Sequence, residues 1–354
     1  MPRVIVVGGG YGGSLVAKSL DTLADVTLID PREGFVNAAA SLRALTRPDF
    51  APNAFFPFAS LLAHGRVVHD RAVSADPGGV TLASGARVDA EYVVLATGSS
   101  YPFPAKPVST AIAQQLDDLR AAHKELAAST RVLIAGAGPV GLELAGEIKE
   151  VWPDKSVLVV DRGAQLLPGF LPEVRADLHR RLDALGVELR LGTVLPALPA
   201  LEPGRRGQVG VLAADIWFRA FGVHVNTDYL TDGRLTPLNS QGLVPVTDRL
   251  HVRGYEHVYA LGDIVDLPDP KMASYAMTHA EVVVRNIAAQ LSGEQPPAVY
   301  VPPVERRILL PLGTRGGVGQ LPTHAGVAPA APEVVYERKG RDLFTARFAE
   351  RFTV

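Results

Sequence analysis

The sequence predicts an α/β fold with two Rossmann-like dinucleotide-binding units, and three observations carry that expectation. Two glycine-rich phrases, VIVVGGGYGG (Val4–Gly13) and VLIAGAGPVG (Val132–Gly141), each begin with a short all-apolar run. Each is followed by a helix-like stretch. Each then leads into a second apolar run that ends in an acid, VTLID at Asp30 and SVLVVD at Asp161. Strand, turn, helix and terminal acid in that order describe a βαβ unit suited to a nucleotide.

In the first copy, Val4–Val7 suits a parallel strand buried on both faces. Gly8, Gly10 and Gly13 follow, with Gly12 inside the same phrase. One glycine makes the tight turn, one lets the backbone approach a pyrophosphate, and one packs helix against strand. The pyrophosphate would rest on the helix N-terminus, where free N–H groups and the dipole favour anions. Asp30 is placed to accept hydrogen bonds from a ribose. In the second copy the strand is Val132–Ala135, the turn Gly136, Gly138 and Gly141, the helix LELAGEIKEV, and the acid Asp161. The two copies lie much further apart than a solenoid period, so they predict two nucleotide domains and not an array.

At 354 residues the chain has room for two or three domains. It is 47% hydrophobic and 20% charged with a net charge of −2, which lacks the basic field that nucleic-acid binding needs. There is no apolar run of about 18 residues, so no spanning helix is expected. The start, MPRVIVV, runs straight into a strand without the regions of a signal peptide, and Pro2 does not fit an N-myristoyl signal. A cytoplasmic location is expected. The chain has no cysteine. Redox chemistry through a protein thiol, a disulfide or a thiolate-bound metal is therefore excluded and is expected to belong to a bound cofactor. The nine histidines show no close metal-ligand spacing, and no metal is expected.

Proline and glycine mark the boundaries. ATGSSYPFPAKP (Ala96–Pro107) reads as a strand end and a linker, and EPGRRGQVG (Glu202–Gly210) as a hairpin turn. GEQPPAVYVPP (Gly293–Pro303) separates a C-terminal segment from a helix over Met272 to Leu291, where Ala, Val and Ile recur at helical spacing.

Taken in order, VVGGGYGG, VLATGSSYPFP, VLIAGAGPVGLELAGEI, VYALGD and PKMASYAMTHA resemble the phrases of two-dinucleotide-binding flavoproteins. The chain is most similar to the apoptosis-inducing-factor-like, ferroptosis-suppressor type of NAD(P)H:quinone oxidoreductase. PKMA, GGVGQ (Gly316–Gln320) and GRDLF (Gly340–Phe344) are the narrower signals. The resemblance implies FAD in the first site and NADH or NADPH as cosubstrate in the second. It implies an NAD(P)H-binding domain (107–225) inserted into an FAD-binding domain (1–106 and 226–295), followed by a small C-terminal α+β segment (296–354).

Carried over residue by residue, the resemblance places Gly8, Gly10, Gly12, Gly13 and Asp30 on the ADP half of FAD, with Arg43 a further basic contact. The Ala72 backbone would touch adenine. Thr97 and Gly98 would lie at the crossing between domains, with Gly222 in FRAFGVHVNT as the counterpart of Gly98. Gly262 and Asp263 would meet the ribityl chain. Gly136, Gly138, Gly141 and Asp161 would hold the nicotinamide nucleotide. Asp161 favours NADH by repelling a 2′-phosphate, whereas Arg162 beside it would admit NADPH.

Two catalytic residues are expected. Glu143 matches a family glutamate near the nicotinamide–flavin contact, where it would position the carboxamide or relay protons. Its bland alternative is a helix N-terminal acid favoured by the dipole. Lys271, before the helix at Met272, would stabilise negative charge on the flavin, and its alternative is a solvated lysine in a turn. Val36 stands before Asn37 where the family often places histidine.

The expected acceptor is a quinone or another small molecule. A ferredoxin-type carrier reductase and a redox-responsive binding protein that forms a charge-transfer complex with NADH stand as alternatives. ERRILLPLG (Glu305–Gly313) would line a quinone slot or form a core strand. Phe344, Phe348 and Phe352, with Arg347 and Arg351 between them, form a helical stripe. That stripe suits peripheral contact with the inner membrane face or docking against the protein's own core. Monomer and homodimer both remain open.

Overall fold

The computed structural model describes residues 1–195, 197–209 and 212–353. Strand Arg3–Val7 is buried from Val4 onward, as a central parallel strand covered on both faces must be. Helix α1 (Tyr11–Leu20) follows, and strand Asp25–Ile29 completes the first βαβ unit in register from Arg3↔Asp25 to Val7↔Ile29. Helix α2 (Ala38–Thr46) leaves this unit toward the second.

The first sheet is parallel, in the order Val258–Ala260, Tyr92–Leu95, Arg3–Val7, Asp25–Ile29, Arg66–Val68. Its outermost strand, Val258–Ala260, returns from far downstream, and the second sheet lies between in sequence. One nucleotide unit is therefore inserted into the other.

The inserted unit contains α3 (Ile112–Ala128), strand Arg131–Ala135, α4 (Pro139–Val151), strand Ser156–Val160 and α5 (Pro172–Ala184). Its sheet runs Val187–Arg190, Ser156–Val160, Arg131–Ala135, Ala214–Arg219, Arg206–Val209, and only the last strand is antiparallel. The expected turn at Glu202–Gly210 is corrected in part. Arg206–Val209 is itself a strand of this sheet, while Gly210 lies outside the described residues.

Helix α6 (Ala273–Leu291) packs on α1, and Gly12 is what allows the approach. A Cβ there would stand 2.4 Å from Leu261 Cδ1 and 2.8 Å from the Ala276 carbonyl oxygen. The C-terminal segment is an antiparallel meander, Ile308–Leu312, Gly316–Thr323 and Gly326–Pro329, followed by α7 (Pro332–Val335), a π-helical turn Tyr336–Gly340 and α8 (Thr345–Arg351). Its first strand lies on α4, where a Cβ on Gly146 would come within 2.6 Å of Leu312 Cα. Ile308, Leu310 and Leu312 are buried there, so the leucine run forms core.

Two of the three rings of the aromatic stripe are internal. Phe348 and Phe352 are buried. The Phe352 ring stacks on Phe35 at 5.3 Å and on Phe56 at 5.6 Å, and Phe348 meets Phe35 at 4.9 Å and Tyr11 at 5.4 Å. This corrects the membrane reading for Phe348 and Phe352, whose rings are committed to the core of the first unit, while Phe344 is half-buried. Among the described residues no helix is long and apolar enough to cross a membrane.

Candidate active site

The two glycine turns repeat each other contact for contact. Gly8 (φ 99°) and Gly136 (φ 115°) adopt backbone conformations that favour glycine. A Cβ on Gly8 would lie 2.5 Å from the Ala96 oxygen, and one on Gly136 would lie 2.6 Å from the Ala220 oxygen. A Cβ on Gly13 would meet the Gly8 oxygen at 1.8 Å, and one on Gly141 the Gly136 oxygen at 2.0 Å. Gly10 and Gly138 differ from these, since nothing lies within 4 Å of a Cβ built on either. They are the N-cap residues of α1 and α4, whose first-turn N–H groups have no partner within the helix. Each turn thus presents an open cradle at a helix N-terminus, the arrangement that holds a pyrophosphate.

The terminal acids repeat as well. Asp30 Oδ2 accepts the Gly9 N–H at 2.7 Å, and Asp161 Oδ2 accepts the Ala137 N–H at 2.7 Å. Asp30 Oδ1 takes the Arg32 N–H at 2.9 Å, and Asp161 Oδ1 takes the Gly163 N–H at 2.6 Å. The copies part at the next residues. Arg32 forks onto both Asp30 oxygens at 3.0 and 2.8 Å, whereas Arg162 is exposed. Burial by itself would raise the Asp30 carboxyl, but the Arg32 charge and the N–H donors outweigh it and hold the group below its ordinary range.

The two crossovers lie side by side. Ser99–Ser100 pairs antiparallel with His224–Val225, Thr97 Oγ1 donates to the Asn226 oxygen at 2.6 Å, and the Asn226 N–H donates to Gly98 at 2.9 Å. Gly98 (φ 60°) and Gly222 (φ 85°) make the bends on either side. Asp263 accepts the Ser99 hydroxyl, and the Asp263 carbonyl accepts Lys271 Nζ. Lys106, unnoticed in the sequence, donates to both the carbonyl and the hydroxyl of Ser99. Burial lowers its ammonium below the usual lysine range, with Asp263 opposing. Ala72 opens the strand Ala72–Asp76, away from this junction in sequence, and pairs with Leu82.

Glu143 lies in the second turn of α4 and is buried. Its Oε1 receives Lys339 Nζ at 2.6 Å, and the same ammonium donates to the Leu309 carbonyl at 3.1 Å. Burial raises the Glu143 carboxyl, Lys339 opposes, and the net shift is upward. Lys339 comes from the π-helical turn near the C-terminus, and no sequence signal singled it out.

Arg43 corrects an expectation. Its Nε and Nη2 bond Glu147 Oε1 at 3.0 and 2.9 Å, Nη1 reaches the Arg341 carbonyl at 3.2 Å, and Nη2 the Gly313 carbonyl at 3.3 Å. With the guanidinium buried and all three nitrogens engaged in protein contacts, Arg43 is a clamp between α2, α4 and the C-terminal segment. Val36, where histidine was missing, is buried in a strand and pairs with Phe55, and its neighbour Asn37 is tied into the fold. Asn37 accepts the Tyr11 hydroxyl at 3.0 Å and donates to the Leu343 carbonyl at 2.8 Å.

The open cradles test the fit of two dinucleotides directly. At Gly10 and Gly138 a Cβ would meet nothing within 4 Å among the described residues, so the space at each helix N-terminus is clear and fits a pyrophosphate. Twin cradles, twin strand-end acids and joined crossovers fit a flavoprotein oxidoreductase with two dinucleotide sites. The chain belongs to the pyridine nucleotide-disulphide oxidoreductase family, whose model matches residues 2–281. It is 33% identical to ferroptosis suppressor protein 1 of Taeniopygia guttata over 98% of this chain and 94% of that protein. It is 31% identical to the Homo sapiens protein of the same name over 90% of this chain and 88% of that one. The fold is shared with the sulfide:quinone oxidoreductase of Aquifex aeolicus at a TM-score of 0.75 and 18% identity, covering 99% of this chain and 91% of that one. The chain is accordingly an FAD-dependent oxidoreductase that uses NAD(P)H.

Proposed function

We propose that this protein oxidises NADH and reduces a quinone. The observation that carries the reading is the buried Glu143–Lys339 pair, set on the helix that forms the second cradle in a chain without cysteine. A dithiol acceptor would need a protein thiol relay, which this chain cannot supply. The sulfide:quinone oxidoreductase of the same fold bears a quinone acceptor in its name.

Gly8, Gly10, Gly12, Gly13, Asp30, Thr97, Gly98, Gly262 and Asp263 would hold FAD. Gly136, Gly138, Gly141, Asp161 and Gly222 would hold NADH. When bound, FAD accepts a hydride from NADH and delivers two electrons to the acceptor. The balance is NADH, a proton and quinone giving NAD⁺ and hydroquinone, so one proton beyond the hydride must be supplied. Glu143 is suited to hold it, because burial keeps its carboxyl protonated at higher pH than usual and Lys339 stabilises the carboxylate left behind. Lys271, whose ammonium donates to the Asp263 carbonyl just before α6, would add positive charge beside a bound flavin and favour its reduced form. Asp161 repels a 2′-phosphate and favours NADH.

The test is steady-state NADH oxidation by the holoprotein with quinones of graded side-chain length, and separately with ferredoxin-type carriers. Turnover should rise with quinones and stay at background with the carriers. Fast turnover with a carrier and none with any quinone would overturn the acceptor assignment.

A further inference from the structure

We propose that His279 is a positioning residue of the flavin site, holding through its Nδ1 lone pair the turn that presents Asp263. His279 lies on α6 and is 1% exposed. Its Nδ1 sits 3.1 Å from the Gly262 backbone nitrogen, and its Nε2 sits 3.1 Å from Asp269 Oδ2. A backbone N–H can only donate, so Nδ1 carries the lone pair. The single ring proton is then on Nε2 and is given to the Asp269 carboxylate. Asp269 orients the ring, and the ring holds the turn.

Gly262 has a φ of 75° and opens the short turn Gly262–Ile264. The Asp263 side chain is bonded by Ser99 and its carbonyl by Lys271. Asp269 stands two residues before Lys271. One imidazole therefore fixes both the turn that carries Asp263 and the loop that carries Lys271 to the same helix. The Tyr300 ring meets it edge-on at 4.3 Å from the C-terminal segment.

The arrangement requires a neutral ring, since a proton on Nδ1 would face the Gly262 N–H. Burial lowers the imidazole below its ordinary range, with the Asp269 hydrogen bond opposing. The other titratable groups around it are Asp263 and Lys271 on the loop, Tyr275 on α6 and Tyr300 on the C-terminal segment, with Asp266 beyond Lys271 and Arg307 over the Tyr275 ring.

The proposal rests on the flavin reading but not on the identity of the acceptor, and its test uses none. His279→Leu fills the space without an acceptor, and His279→Asn restores a carbonyl near the Nδ1 position. We expect His279→Leu to weaken FAD binding roughly tenfold to hundredfold, because a buried N–H loses its partner. It should also shift the flavin midpoint potential, and His279→Asn should recover most of both changes. Nitrogen NMR of the wild-type imidazole should show the proton on Nε2, and the Gly262 amide should exchange slowly with solvent. Equal behaviour of the Leu and Asn variants, a proton on Nδ1, or a rapidly exchanging Gly262 amide would each overturn the assignment. The two NMR readouts need no variant to fold. Wild-type protein that binds FAD and is bleached by NADH while failing these tests would sink the positioning role and leave the flavin reading standing.

Discussion

Replacing Lys339 by methionine removes an ammonium while keeping the length of the side chain, which makes it the sharpest probe of Glu143. Burial raises the Glu143 carboxyl and Lys339 limits that rise. Without the ammonium the carboxyl should hold its proton to still higher pH. The inflection expected from Glu143 in the pH profile of quinone reduction should therefore move upward in Lys339→Met and vanish in Glu143→Gln. An inflection that stays in place in both variants would separate Glu143 from the proton. The same shift has a sign for stability. A carboxyl raised in the folded state burdens the fold once ionised, so its contribution is most favourable below the unfolded value and is lost as pH rises through the folded one.

Within the glycine turns, sequence neighbours separate into a folding role and a binding role. Gly141→Ala would place a methyl 2.0 Å from the Gly136 oxygen, and overpacking of that kind costs about 1–3 kcal/mol or more. Gly138 has a φ of −74° and open space around it, so Gly138→Ala should fold with an unchanged denaturation midpoint. Its methyl should still raise the KM for NADH about tenfold or more. A normal KM in Gly138→Ala would remove the second cradle from nucleotide binding. The acid face of α4 gives a second test at this scale. Arg43→Met strands Glu147 as a buried charge, and breaking such a pair costs about 3–5 kcal/mol, which Arg47 on the same carboxylate will soften. Arg43→Met with Glu147→Leu should regain much of that loss in urea denaturation. A double variant no more stable than the single would show that the pair is not the source.

The glycine turns were legible in the sequence because a turn with φ above zero and no room for a Cβ leaves a residue-level signature. The acids Asp30 and Asp161 were legible for the same local reason, each standing at the end of a strand that follows its turn. Lys339 was not, since it meets Glu143 across 196 residues and only the folded chain brings them together. Arg43 and Glu147 meet across 104 residues, which is why a resemblance could place Arg43 on FAD while its guanidinium serves a clamp. Periodicity found the stripe of Phe344, Phe348 and Phe352 but could not say what covers it.

Across the whole molecule, the C-terminal segment closes on both nucleotide units. Lys339 reaches the second unit at Glu143, and Arg351 reaches the first at the Tyr11 carbonyl and the Ser14 hydroxyl, 2.9 and 3.0 Å away. Phe352 packs against Phe58, whose ring would stand 2.3 Å from a Cβ on Gly9 in the first cradle. Phe352→Ala should therefore cost about 3–5 kcal/mol and loosen FAD, as read by urea denaturation and flavin release. Unchanged stability together with lost binding to anionic vesicles would reinstate the membrane reading. The central claim is that one chain holds FAD in the first cradle and receives NADH in the second. Anaerobic titration of the holoprotein with NADH, followed by the visible flavin absorbance, tests this in wild type and in Gly138→Val. The account predicts stoichiometric bleaching in wild type and a variant that stays yellow, with its flavin retained and unreduced. A wild type that cannot be loaded with flavin, or a Gly138→Val variant bleached as readily as wild type, would contradict it.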